Sequence, residues 1–80
     1  MSRVVQLTMM SYIDAFVEVP EDWNASEYWH RHYHKKPLSP ELHELVEGKA
    51  ESFELVSMLE RKDHPTTHVW NPETQRIVAK

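Results

Sequence analysis

The sequence VQLTMMSYIDAFVEV, residues 5–19, decides the fold. Every second residue of it is apolar except Ser11, which is the period of a β-strand with one face on a core. Fifteen residues at about 3.3 Å each would reach roughly 50 Å, longer than a compact domain of 80 residues allows. The segment must therefore bend, break or extend beyond its own fold. Two solutions stay open: a bulge near residues 10–12, and pairing of the free part with a second copy in a homodimer.

A first helix is predicted from about residue 25 to residue 35. Asn24 and Glu27 have the spacing of a capping box, in which the asparagine accepts from a free N–H and the glutamate reaches back. Pro37 prevents the helix from continuing. The residues expected to face the sheet are Ala25, Trp29, His32 and Tyr33.

A second helix is predicted to begin at Pro40, with Ser39 as its N-cap and Glu41 in its first turn. Its apolar stripe consists of Leu38, Leu42, Leu45 and Val46. Gly48, the single glycine of the chain, suits the position just after the end of this helix.

Three further strands are predicted, over residues 52–61, 67–70 and 76–79, and the last two form a hairpin around the turn at residues 71–74. In the first of them Phe53, Leu55 and Leu59 share one face. Val56 and Met58 share the other, and this mixed polarity favours a central place in the sheet. The order β-α-α-β-β-β predicts one α+β domain over residues 1–80, with a small mostly antiparallel sheet and two helices on one face.

The composition excludes several classes of function. The chain has no cysteine, which rules out disulfides, thiolate catalysis and cysteine-ligated zinc. No apolar run approaches the roughly 20 residues that span a bilayer, so we expect no membrane partner and a cytoplasmic location. The formal net charge of −4 makes nucleic acid an unlikely partner, although Arg31, Lys35 and Lys36 form a local basic patch. A single glycine also disfavours loops that cradle phosphates.

One constellation has the chemistry of a metal site. On a helix His30 and His34 share a face whereas His32 points away, and Glu27 adds a carboxylate to the same side. Two imidazoles and one carboxylate suit a divalent transition metal. The alternative interpretation is that these residues are only the solvent face of the helix.

A second constellation suits contact with another protein. It consists of Trp23, Glu41, Glu44, Glu47 and Trp70. Tryptophan is enriched at interface hot spots, and an acidic stripe can dock on a basic surface. The alternatives are a hydrophobic staple for Trp23, cross-strand packing on Ile77 for Trp70, and a solvated helix face for the glutamates.

The leading hypothesis is a small non-enzymatic protein-binding module. It would be an inhibitory or regulatory accessory protein of bacterial or phage type, which occupies the surface of a partner and self-associates through its first strand. The alternative is a small metal-dependent or acid/base enzyme with Glu27, His30 and His34 at a dimer interface. No nucleophile elbow and no His-Glu-x-x-His motif supports hydrolysis.

Overall fold

A computed structural model describes residues 2–10, 13–33, 39–45 and 54–80. Its elements are β1 (Ser2–Met9), β2 (Ile13–Pro20), α1 (Ala25–His32), α2 (Pro40–Leu45), β3 (Leu55–Arg61), β4 (His68–Asn71) and β5 (Arg76–Ala79). The strands form one sheet in the order β3-β1-β2-β4-β5, antiparallel except for the β2–β4 pair. The predicted α+β class is confirmed, and the first predicted strand is present as two.

The long alternating segment is a β-hairpin. Met9 lies opposite Ile13, and Val5 lies opposite Val17. Directly opposed residues share a face of the sheet. The connection between Met9 and Ile13 contains an odd number of residues, 10–12, so the period of two keeps its phase through the turn. A reversing chain therefore has the same pattern as a single strand of twice the length.

Self-association through this segment loses its structural basis. β1 pairs with β2 along one edge and with β3 along the other, from Val4 to Met9. β2 in turn pairs with β4 at Val17 and Glu18. Within the described part of the chain, the edges of the sheet belong to β3 and β5.

The predicted central position of the strand at residues 52–61 is wrong, because β3 lies at the edge of the sheet. The predicted faces are also wrong. Thr8 pairs with Ser57 but Met9 pairs with Leu55, so Val56 is an extra residue in a β-bulge. The bulge shifts the phase of β3, and Leu55 is fully buried while Leu59 is 51% exposed. Phe53 lies outside the described residues.

The core lies on one face of the sheet, under the two helices. Its members are Val5, Leu7, Met9, Ala15, Val17 and Val19 from the hairpin, Tyr28, Leu42 and Leu45 from the helices, and Leu55 and Ile77 from the outer strands. Leu38 and Val46 of the predicted second stripe lie outside the described residues. The start of α1 approaches β4, and Tyr33, just after its end, forms an isolated bridge with Leu55 of β3. α1 therefore crosses the sheet.

Both helices begin where the sequence predicts. The backbone N–H of Glu27 donates to Oδ1 of Asn24 (2.9 Å), and the N–H of His43 donates to the carbonyl of Ser39 (2.9 Å). α1 ends at His32, earlier than predicted, because Tyr33 adopts an extended backbone conformation. Neither helix of the described ranges has the length and apolarity needed to cross a membrane.

Because the bulge puts Leu55 in the core and leaves Leu59 exposed, substitution of these two leucines should have unequal effects. Leu55→Ala should lower the free energy of unfolding by about 2 to 5 kcal/mol, since it opens a cavity in the core. Leu59→Ala, the same substitution at an exposed position, should cost less than about 1 kcal/mol. Urea denaturation followed by circular dichroism measures both. Equal losses at the two positions would contradict the phase shift.

Candidate functional site

A cleft of about 270 Å³ opens between the start of α1 and the β4–β5 turn. Three aromatic residues, Trp23, Tyr28 and Trp70, line it and are called here the aromatic trio. The polar side chains of its wall are those of Asn24, Glu27, Arg31 and Gln75. Two predicted partner residues, Trp23 and Trp70, are thus brought together.

The rings of the aromatic trio pack on one another, tilted between Trp23 and Tyr28 and edge to face at Trp70. The ring centroids of Trp23 and Tyr28 are 5.2 Å apart, and the ring of Trp70 lies 5.7 Å from Trp23 and 5.9 Å from Tyr28. Trp70 is nearly perpendicular to Tyr28, at 87°. These separations fall within the range of favourable aromatic pairs. The trio is therefore a packed unit on the edge of the core.

Local sequence signals place both tryptophans. Trp23 precedes the Asn24 cap and contacts Tyr28 in the fourth helical position, which is the geometry of the predicted hydrophobic staple. Trp70 lies opposite Ile77 on the neighbouring strand, which is the predicted cross-strand pair. Both structural expectations are confirmed, and a role of either tryptophan in partner contact stays a prediction.

Three hydrogen bonds hold the backbone of the segment that ends at Trp23, and two of them are made by Trp23 itself. A guanidinium nitrogen of Arg3 donates to the carbonyls of Glu21 (3.2 Å) and Trp23 (3.0 Å). The N–H of Trp23 donates to the carbonyl of Pro20 (3.1 Å). The first residue of the trio therefore has a fixed backbone, although its segment is neither helix nor strand.

The rim of the cleft carries an exposed ion pair. Nη2 of Arg31 donates to Oε1 of Glu27 at 3.1 Å, with the side chains 52% and 62% exposed. Glu27 is thus engaged along the helix with Arg31, and only the Asn24 half of the predicted capping box is present. A carboxylate and a guanidinium lie beside aromatic rings at this point.

The proposed metal site is not assembled by the described residues. Glu27 and His30 are both exposed on α1, and His34 lies outside the described ranges. Within those ranges no group of three His, Asp or Glu side chains is arranged to hold a metal. The site at Glu27, His30 and His34 stays a prediction.

A buried polar cluster joins the two helices to the sheet. Nδ1 of His32 lies 3.1 Å from the hydroxyl of Ser39, and Nε2 lies 3.4 Å from Oε2 of Glu41. The N–H of Ile77 donates to the other oxygen of Glu41 at 3.3 Å. The side chains of His32 and Glu41 are only 6% and 15% exposed. The cluster therefore links α1, α2 and β5.

This cluster has the residue types of a nucleophilic relay, but a substrate cannot reach its serine. In many hydrolases a serine hydroxyl contacts a histidine ring, and that ring contacts a carboxylate. Ser39 is only 7% exposed and forms the start of α2, so its hydroxyl is shielded from a substrate. The arrangement holds elements together.

Tyr28 connects the cluster to the cleft, since its ring lines the cleft and its hydroxyl is buried. Burial raises the pKa of Tyr28 far above its ordinary value of 10.0, and the neighbouring Glu41 carboxylate raises it further. The phenol is therefore held neutral in the folded protein.

The predicted acidic surface is divided by the structure. Glu41 points into the buried cluster, and Glu44 pairs with Arg76 at 3.3 Å on the surface. Glu47 lies outside the described residues. Of the predicted partner residues that the structure describes, Trp23 and Trp70 line a common cleft and Glu41 and Glu44 do not.

The sequence prediction missed Tyr28, which is 3% exposed, and overrated Tyr33, which is 43% exposed. The signal was present, since Ala25, Tyr28, Trp29 and His32 have the i, i+3, i+4, i+7 spacing of a helix face. His32 is buried, in keeping with the prediction that it faces the sheet.

Comparisons with protein-family models, curated proteins and solved structures found no match to this chain. The functional argument therefore depends on the residues of the chain itself.

Because the pKa of Tyr28 is raised, the free energy of unfolding should depend on pH in the alkaline range. An unfolded tyrosine ionises near pH 10, whereas folded Tyr28 keeps its proton, so stability should fall as pH rises above about 10. The Tyr28→Phe variant should show a shallower fall, by up to about 1.4 kcal/mol per pH unit. Urea denaturation between about pH 8 and 11 measures the slope.

The matched control is Tyr33→Phe, which removes the hydroxyl from an exposed tyrosine just after the same helix. Its slope should follow that of the parent protein. Parallel curves for all three proteins would show that Tyr28 ionises equally well in the folded and unfolded states.

Proposed function

We propose that this protein is a small non-enzymatic binding module that occupies the surface of a partner protein through the cleft of the aromatic trio. The observation that carries the proposal is the grouping of two tryptophans, a tyrosine and an arginine around one opening. Tryptophan, tyrosine and arginine are the residue types most enriched at interface hot spots. Regulation or inhibition would follow from occupying the partner's surface.

The size of the cleft supports a side chain as its occupant. Sites for drug-sized ligands and cofactors have volumes of about 300 to 1,000 Å³, and this cleft of about 270 Å³ falls just below that range. A large side chain of a partner protein fits such a volume.

The rigidity of the cleft supports binding as well. Association loses free energy when side chains become ordered at an interface, by about 0.5 to 1.5 kcal/mol for each flexible side chain. The rings of the trio are already packed on one another, and Arg3 holds the backbone of Trp23. These rings therefore lose little further conformational freedom when a partner binds.

The compartment belongs to the same proposal. We place the protein in the cytoplasm, where disulfides are rare and where a chain without cysteine gives up no stabilising crosslink.

The test compares two tryptophan variants. In affinity capture from the cell that produces the protein, followed by titration of the captured partner, Trp70→Leu should weaken binding about 30-fold or more, the loss of a hot spot of about 2 kcal/mol. Trp29→Leu is the matched control, because Trp29 is partly buried on α1 but packs on Tyr33 outside the cleft. It should leave the affinity unchanged.

Circular dichroism and the urea midpoint of each variant separate a lost contact from a lost fold. If a partner binds the parent and the Trp70→Leu variant equally well, the cleft is not the contact site. If the two tryptophan variants weaken binding equally, the effect is one of stability.

A further inference from the structure

The walls of the cleft also indicate which kind of side chain it receives. We infer that the group bound by the aromatic trio is cationic, an arginine or lysine side chain of the partner. This inference rests on the proposed function, since it names the chemistry of the same site. Ring geometry, local charge and the state of Arg31 all support it.

The rings are close enough together to act on one charge. No two centroids of the trio are more than 5.9 Å apart, so a cation seated over the trio lies within about 6 Å of all three. Within that distance the quadrupole of a ring attracts positive charge that lies over the ring face, and tryptophan, which supplies two of the rings, attracts it best. A carboxylate at the same point would be repelled by the ring faces.

The charges around the opening have the sign that a cation needs. Glu27 lies in the wall, and the exposed Asp22 and Glu73 adjoin the lining residues Trp23 and Pro72 in the chain. Among the described residues of the wall Arg31 is the one cation, and Arg76 adjoins the lining residue Gln75 in the chain. At and beside the opening, three carboxylates therefore outnumber two guanidinium groups, and that of Arg76 is paired with Glu44 at 3.3 Å.

Arg31 does not make the cleft an anion site, because its guanidinium is engaged with Glu27 at 3.1 Å. The start of α1 adds a partial positive charge of about 0.5, which the exposed carboxylates of Asp22 and Glu73 outweigh. The second oxygen of the Glu27 carboxylate remains available to accept from an incoming ammonium or guanidinium group.

The experiment uses four capped tripeptides, Gly-Xaa-Gly, in which Xaa is arginine, lysine, citrulline or glutamate. Citrulline has nearly the shape of arginine without its charge. The indole N–H signals of the folded protein are followed by two-dimensional NMR during titration. The signals of Trp23 and Trp70 should shift, and that of Trp29, which packs outside the cleft, should not. The arginine or lysine peptide should bind at least about fivefold more tightly than the citrulline peptide.

Two glutamate variants supply the charge control. Glu27→Gln should weaken binding of the cationic peptides about threefold and leave the citrulline peptide unaffected. Glu44→Gln makes the same change at a second exposed glutamate paired with an arginine, at 3.3 Å, outside the cleft. It should leave all four affinities unchanged.

The inference is overturned if the citrulline or glutamate peptide binds as tightly as the cationic ones, or if no peptide shifts Trp23 and Trp70. A cleft that prefers neutral or acidic peptides would still be a contact site, so the proposed function would stand. The proposed function fails separately, when Trp70→Leu retains the full affinity for the partner.

Discussion

An apolar face on the β1–β2 hairpin has to be covered, and the rest of the described structure depends on how this happens. Six residues of this face are at most 2% exposed: Val5, Leu7, Met9, Ala15, Val17 and Val19. A two-stranded hairpin is marginally stable in water, so its face needs further layers. α1 supplies Tyr28, and α2 supplies Leu42 and Leu45. The same packing brings the start of α1 against β4, and the cleft forms where they meet.

Tyr28 and His32 of α1 help to cover the apolar face of the hairpin, which buries the Tyr28 hydroxyl and the His32 ring nitrogens. A buried polar atom without a partner costs about 1 to 3 kcal/mol, which is comparable to the gain from burying a whole apolar side chain. For His32 the chain offsets this cost locally, because Ser39 and Glu41 at the start of α2 come within contact distance of its ring. A slide of either helix by one turn would separate these groups. The cluster therefore fixes the register of α1 on α2, and indirectly the position of the Tyr28 ring in the cleft.

Features that depend on residues close together in the sequence were mostly predicted correctly. Features that depend on contacts between distant residues were not. Alternation identified the buried side of the hairpin, but a turn with an odd number of residues leaves no mark on that alternation, so only the excess length indicated a reversal. The bulge at Val56 depends on pairing with Thr8 and Met9, which are distant in sequence, and no residue type within β3 indicates it. The Asn24 cap and the Trp23 staple are contacts within five residues and were predicted correctly. The cleft was not, because it needs Trp70 from the other end of the chain.

The division of charges between the helices supports the proposal of a contact site on α1. On α2 Glu41 is turned inward to the buried cluster, so the acidic surface expected there is used partly for folding. On α1 the Glu27 and Arg31 side chains are more than half exposed, and an exposed ion pair contributes only about 0 to 1 kcal/mol to stability. The fold would lose little without that pair. Folding stability therefore gives little reason for its place beside three aromatic rings, whereas the proposed recognition of a charged side chain would give one.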